Sequence, residues 1–159
     1  MSVGIDLVYI PDFLAQFEQA GTRFAQAFSA YEQRTARRRA GQTGQAPEYH
    51  LAARWAAKEA FIKAWSGTLI GQSPVISEEK VNMAEIEVRH DAYGRPYLQL
   101  HGEIARIFGQ SADGYSMVID SQGASNTEDE PSKHATRSGQ LSLSISHDGD
   151  YATAIVVIP

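Results

Sequence analysis

Apolar residues alternate with polar or small ones near both ends of the chain and recur with helical spacing in between. Residues 3–10 read as a strand, with Val3, Ile5 and Leu7 on one face and Gly4, Val8 and Ile10 on the other. Apolar residues on both faces predict a strand near the centre of the fold. Pro11 and Asp12 end it and open a short helix with Phe13, Leu14 and Phe17 on one side, closed by Gly21. Ser29-Ala30-Tyr31-Glu32 has the form of a capping box, which predicts a helix through Arg39 and then a Gly/Gln loop over 40–46. Pro47 suits the first turn of the helix that follows.

That helix, residues 51–65, has no Gly, no Pro and one β-branched residue, so its helix propensity is high throughout. Leu51, Trp55, Ile62 and Trp65 form a bulky apolar arc, and Ala53, Ala56, Ala57, Ala60 and Ala64 a small one. Apolar groups on two sides predict a helix enclosed by more than one layer. Glu59 and Lys63 sit between those arcs, with Arg54 and Lys58 on another side. Charges on so enclosed a helix are costly without partners.

Beyond Gly67 the chain reads as loop to about residue 80. Residues 86–89 and 97–100 alternate as strands around the turn Asp91-Ala92-Tyr93-Gly94. Ile104, Ile107 and Phe108 give a short amphipathic helix ended by Gly109, and 115–119 reads as a strand. Residues 121–140 have almost no apolar residues and are rich in Ser, Thr, Gly and charge, which predicts a mobile polar insertion. Strict alternation resumes over 141–146, His147-Asp148-Gly149-Asp150 supplies a turn, and 151–158 is an apolar strand. The expectation is one domain over 1–159, interrupted by the loop at about 121–140.

At 159 residues and 43% apolar, the chain is long enough for a real core. A net charge of −5 excludes a broad nucleic-acid footprint. The absence of cysteine excludes a disulfide framework and a thiolate metal site. The first residues place no basic region before the apolar run, unlike a signal peptide, and no apolar run approaches the ~20 residues of a membrane span. A cytoplasmic protein with no membrane partner is expected.

Several charged residues admit two readings. Glu59 and Lys63 are either an ordinary i,i+4 surface pair or a functional one. Asp6 is unusual within a strand: it either caps nearby backbone or projects a carboxylate into a polar site. Arg34, Arg37, Arg38 and Arg39 are either a solvated helix C-terminus favoured by the dipole or a docking patch for an acidic partner or phosphate. His147 by itself reads as a turn residue.

Taken together, VGIDLVYI near the start, ARWAAKEAFIKAWSG in the middle and SISHDGDYATAIVV at the end resemble the holo-[acyl-carrier-protein] synthases, the small class of 4′-phosphopantetheinyl transferases. The match runs in order across most of the chain outside the polar insertion. It implies an α+β fold, with a central helix packed across an antiparallel sheet. It also implies a homotrimer with each coenzyme A site between neighbouring subunits. The implied reaction moves phosphopantetheine from coenzyme A to a serine of an acyl carrier protein or carrier domain of a fatty acid synthase, for fatty acid biosynthesis, and releases adenosine 3′,5′-bisphosphate. Asp6 and Glu59 match the family's Mg²⁺ ligands. Glu59 also suits activation of the serine, directly or through a metal-bound water. Lys63 matches the lysine expected at the pyrophosphate. Arg54 and His147 match positions implied in gripping the 3′-phosphate and adenine end. Gly94-Arg95-Pro96 resembles the hairpin loop near the adenine, with Ser146 beside His147. Lys58 is either structural or phosphate-facing.

The sequence departs from the family in two places. The insertion precedes the strand carrying His147. The helix after Asp12 carries Asp12 and Glu18 and no Lys or Arg before Arg23, where the family usually offers basic residues to its carrier. Two other classes compete: a non-catalytic module binding coenzyme A or a carrier, and a Mg²⁺-dependent phosphohydrolase using water. Retention of Asp6, Glu59 and Lys63 together speaks against the first.

Overall fold

A computed structural model describes residues 1–111 and 141–159. The insertion expected at 121–140 and the strand expected at 115–119 lie outside the described residues. The chain runs β1 (Ser2–Tyr9), α1 (Ile10–Glu18), α2 (Ala30–Thr43), α3 (Ala52–Thr68), β2 (Ile86–His90), β3 (Pro96–Leu100), α4 (Gly102–Ser111), β4 (Ser142–Asp148) and β5 (Tyr151–Ile158). Strands pair antiparallel in a three-stranded sheet ordered β1-β5-β4 and a two-stranded hairpin β2-β3. This mixture of helices and antiparallel sheet is the expected α+β class.

The alanine arc makes α3 the hub. Ala53, Ala56, Ala57, Ala60 and Ala64 are all buried, and Phe61 and Trp65 are buried with them. Small side chains let β1 approach closely. A Cβ on Gly4 would collide with the Ala60 carbonyl oxygen and the Ala64 amide, so glycine is required there. On the other flank, Trp55 meets Phe24 edge-on at 4.9 Å, within a ring cluster that includes Phe13, Phe17 and Phe28. A 3₁₀ turn over Pro47–Leu51 leads into α3.

Four expectations need correction. Among the described residues β1 is an edge strand: Gly4 and Val8 face α3, while Val3, Ile5 and Leu7 are 57–64% exposed. Apolar residues on both faces therefore mark an uncovered surface, not a central strand. α2 has the expected capping box at Ser29 and Glu32 but continues past Arg39 to Thr43, ending on left-handed Gly44. The arginines thus lie mid-helix, away from the C-terminal dipole. α4 likewise continues through Gly109, since an isolated glycine costs a helix only about 1 kcal/mol. His147 belongs to β4, paired with Ala152, because the turn shrinks to Gly149 and Asp150.

Candidate active site

The close packing of β1 on α3 places Asp6, two residues after Gly4, against the helix. Lys63 Nζ donates to Asp6 Oδ1 at 2.7 Å. The Asp6 side chain is 15% exposed and that of Lys63 52%, so the pair lies at an opening with the carboxylate inside. Glu59 lies one turn before Lys63 on the same face of α3. The lysine is therefore tied across elements to the strand carboxylate. An ammonium on Asp6 marks a position that attracts cations. Two carboxylates are also the donor type a hard divalent ion takes, with waters and phosphate oxygens completing its shell. Asp6 and Glu59 thus fit Mg²⁺.

Arg54 lies on the opposite side of α3 from Lys63, nine residues away at roughly 100° per residue. It is buried, and Nη1 donates to the His50 carbonyl, while Nε and Nη2 have no hydrogen-bond partner among the described residues. Burial draws its pKa down, with Glu32 opposing. His147 is within the electrostatic reach of Arg39 and Arg54; burial first, then those two cations, lower its pKa. His50 and His90 share this setting and are lowered in the same way, burial leading. His50 and His90 escaped the sequence reading. A histidine four residues before Arg54 was the available signal for His50, but His90 reaches the group only through the folding of the hairpin.

Gly94, Arg95 and Pro96 do form the hairpin turn and the start of β3. Gly94 has φ +80°, which favours glycine, and Asp91 Oδ1 accepts from the Tyr93 and Arg95 amides at 2.8 and 2.9 Å. Pro96 pairs in register with His90, so this turn adjoins the histidine group. Ser146 does not join it. Alternation on β4 turns Ser146 to the outer sheet face, opposite His147.

Lys58 resolves as structural. Fully buried, it donates to Glu32 Oε2 at 2.9 Å, the Met83 carbonyl at 2.8 Å and the Ile86 carbonyl at 2.6 Å. Its three donors are used, which leaves none for a phosphate.

Comparison with known proteins gives a consistent picture. The family model of the 4′-phosphopantetheinyl transferase superfamily matches residues 2–156. A holo-[acyl-carrier-protein] synthase of Corynebacterium efficiens is 44% identical over 158 residues, covering 99% of this chain and 93% of the relative. Among solved structures, the ACPS–coenzyme A complex of Chronobacterium ammoniagenes is similar with a TM-score of 0.74 at 43% identity, covering 98% of this chain and 93% of that one. A holo-(acyl-carrier-protein) synthase of Bacillus anthracis in complex with coenzyme A (3′,5′-ADP) is similar with a TM-score of 0.57 at 25% identity, covering 99% and 94%.

Proposed function

The chain belongs to the 4′-phosphopantetheinyl transferase superfamily as a holo-[acyl-carrier-protein] synthase, and from that premise we propose how its own residues carry out a Mg²⁺-dependent transfer. The observation that carries this reading is the meeting of Asp6 and Lys63 across β1 and α3, with Glu59 one turn away. The serine oxygen of the carrier forms a bond to phosphorus as the bond to adenosine 3′,5′-bisphosphate breaks. Glu59, directly or through a water, receives the serine proton. Lys63 faces the pyrophosphate and stabilises charge on the departing phosphate, a role suited to a compact ammonium. Asp6 and Glu59 would hold Mg²⁺, which when bound neutralises pyrophosphate charge. Arg54 and His147 hold the 3′-phosphate end of coenzyme A, with the Gly94-Arg95-Pro96 turn beside the adenine.

The reading extends to a homotrimer with the donor between two copies. Two observations support it. Val3, Ile5, Leu7, Tyr9, Tyr151 and Ile155 leave an apolar sheet face exposed, the kind of patch that marks an interaction surface. Arg54 and Lys63 also lie on opposite sides of one helix, as expected when each grips a donor shared with a neighbour. Ser146, on that outer face, then turns towards the adjoining copy. The whole of 1–159 acts as one transferase domain. In this reading the acceptor is a carrier of fatty acid biosynthesis and the reaction is cytoplasmic.

Mass spectrometry of an apo carrier protein incubated with the enzyme, coenzyme A and Mg²⁺ tests the reading. A serine-linked gain of one phosphopantetheine is expected. Free phosphopantetheine with an unmodified carrier would identify water as acceptor and overturn it.

A further inference from the structure

An ion pair joins β1 to α3 at Asp6 and Lys63, and its two partners are held very differently. Asp6 is fixed. Its strand pairs in register with β5, opposite Ala154, and its carbonyl accepts from Thr153 Oγ1 at 2.7 Å. Two residues earlier, the close approach of Gly4 to the Ala60 carbonyl and the Ala64 amide pins the strand to the helix. Lys63 has no such anchorage. Its side chain is 52% exposed on a flexible four-carbon stem, and among the described residues Asp6 is its only ion-pair partner. An ion pair this open to solvent is weak and readily exchanged. Of the two partners, the lysine is therefore the one that moves.

Charge counting decides what Lys63 does when a divalent ion joins. As ionised ligands, Asp6 and Glu59 supply two negative charges, which one Mg²⁺ balances. The charge on Lys63 is then surplus, and it is repelled by the ion that shares its carboxylate. A pyrophosphate supplies the negative charge that gives the ammonium a new place. We propose that Lys63 and the divalent ion exchange on Asp6: the lysine competes for this carboxylate until the ion arrives, then turns to the pyrophosphate. The proposal rests on the reading that Asp6 and Glu59 hold Mg²⁺ and that Lys63 meets the pyrophosphate. Lys63 thereby acquires a second role. Besides stabilising the leaving group, it weakens the hold of Asp6 on a divalent ion when no donor is bound. The donor removes that competition by drawing the ammonium away, so ion and donor favour each other through one lysine, and by linkage to the same degree in both directions.

The test is the binding of Mn²⁺, which takes the same oxygen donors, to the full chain in the absence of a carrier. Electron paramagnetic resonance reads the free ion, with and without saturating coenzyme A, at fixed pH and ionic strength. Without coenzyme A, Lys63→Met should bind Mn²⁺ roughly tenfold more tightly than the unaltered chain, the order expected for removing one positive charge beside a divalent ion in water. With coenzyme A that difference should vanish, so the donor strengthens Mn²⁺ binding more in the unaltered chain than in the variant. Lys63→Arg keeps the charge and should not gain affinity. Position 63 is half exposed, so both variants should fold, which their unfolding midpoints check. Equal or weaker Mn²⁺ binding by Lys63→Met without coenzyme A, the same gain in Lys63→Arg, or an advantage undiminished by coenzyme A would overturn the proposal. Asp6→Asn, which should weaken Mn²⁺ binding, separates the exchange from the reading beneath it. If Asp6→Asn weakens binding but Lys63→Met does not strengthen it, the ligand assignment stands and the exchange alone falls. If Asp6→Asn leaves Mn²⁺ binding unchanged, both fall.

Discussion

At the scale of single residues, two lysines one helical turn and a residue apart do opposite work. Lys58 is sealed among Glu32 and two backbone carbonyls, whereas Lys63 stands at an opening on Asp6. Burial lowers the pKa of Lys58, and the Glu32 charge opposes it. Lys58→Met should therefore cost about 3–5 kcal/mol, because it strands the Glu32 carboxylate in the core. Adding Glu32→Gln should recover part of that loss, a non-additivity that urea denaturation of both single variants and the double variant would measure. Glu59→Gln should leave the unfolding midpoint almost unchanged but slow transfer by roughly 10²–10⁴-fold, the usual span for a lost general base. Asp6→Asn should behave in the same direction. Near-normal turnover of either variant at limiting Mg²⁺ would rule out the assigned ligands.

At the scale of elements, the decisive contact is the approach of β1 to α3 at Gly4. A methyl group there meets helix backbone, which cannot swing aside as a side chain can. Gly4→Ala should destabilise by about 1–3 kcal/mol or more and move Asp6 away from Lys63. Thermal unfolding and transfer assays should therefore fall together, unlike the Glu59→Gln result. The capping box of α2 has a second role of the same kind. Glu32 accepts from the Ser29 amide at 2.8 Å, from Lys58 and from the Val88 amide at 3.0 Å, so one carboxylate joins α2, α3 and β2.

At the scale of the whole molecule, an exposed apolar sheet face and a depressed histidine group set the expected behaviour. Ile5→Glu should leave the protomer folded, because the residue is 57% exposed, but should prevent assembly. Light scattering coupled to size exclusion would show a monomer, and activity should drop with it. A fully active monomer would contradict a shared site. Stability should also fall as pH drops. His50, His90 and His147 have folded pKa values below the ordinary 6.5, so the unfolded chain binds more protons in this range. Their contribution is present above pH 6.5 and is lost as pH falls through the folded values. The unfolding midpoint should thus decline before ordinary carboxylates titrate near pH 4.

Much of this was legible in the chain itself, because local rules decided it. Period and propensity specified the central helix, the capping box located the start of α2, alternation marked β4 and the hairpin strands, and an apolar run marked β5. Spacing alone left Asp6, Glu59 and Lys63 open between structural and functional roles, and it was the resemblance of the three stretches to the family that singled them out. Other features depended on what packs against what. Alternation cannot tell whether an apolar strand face is covered, so β1 read as central although it is an edge. Glycine weakens a helix without ending it, so α2 and α4 ran past their expected stops once neighbouring elements supported them. Charge pattern alone left Lys58 undecided, since its partners lie 25 to 28 residues away in sequence. The histidine group was hidden for the same reason. His50, His90 and His147 come from three separate elements, and only the tertiary fold brings them within electrostatic reach of one buried arginine.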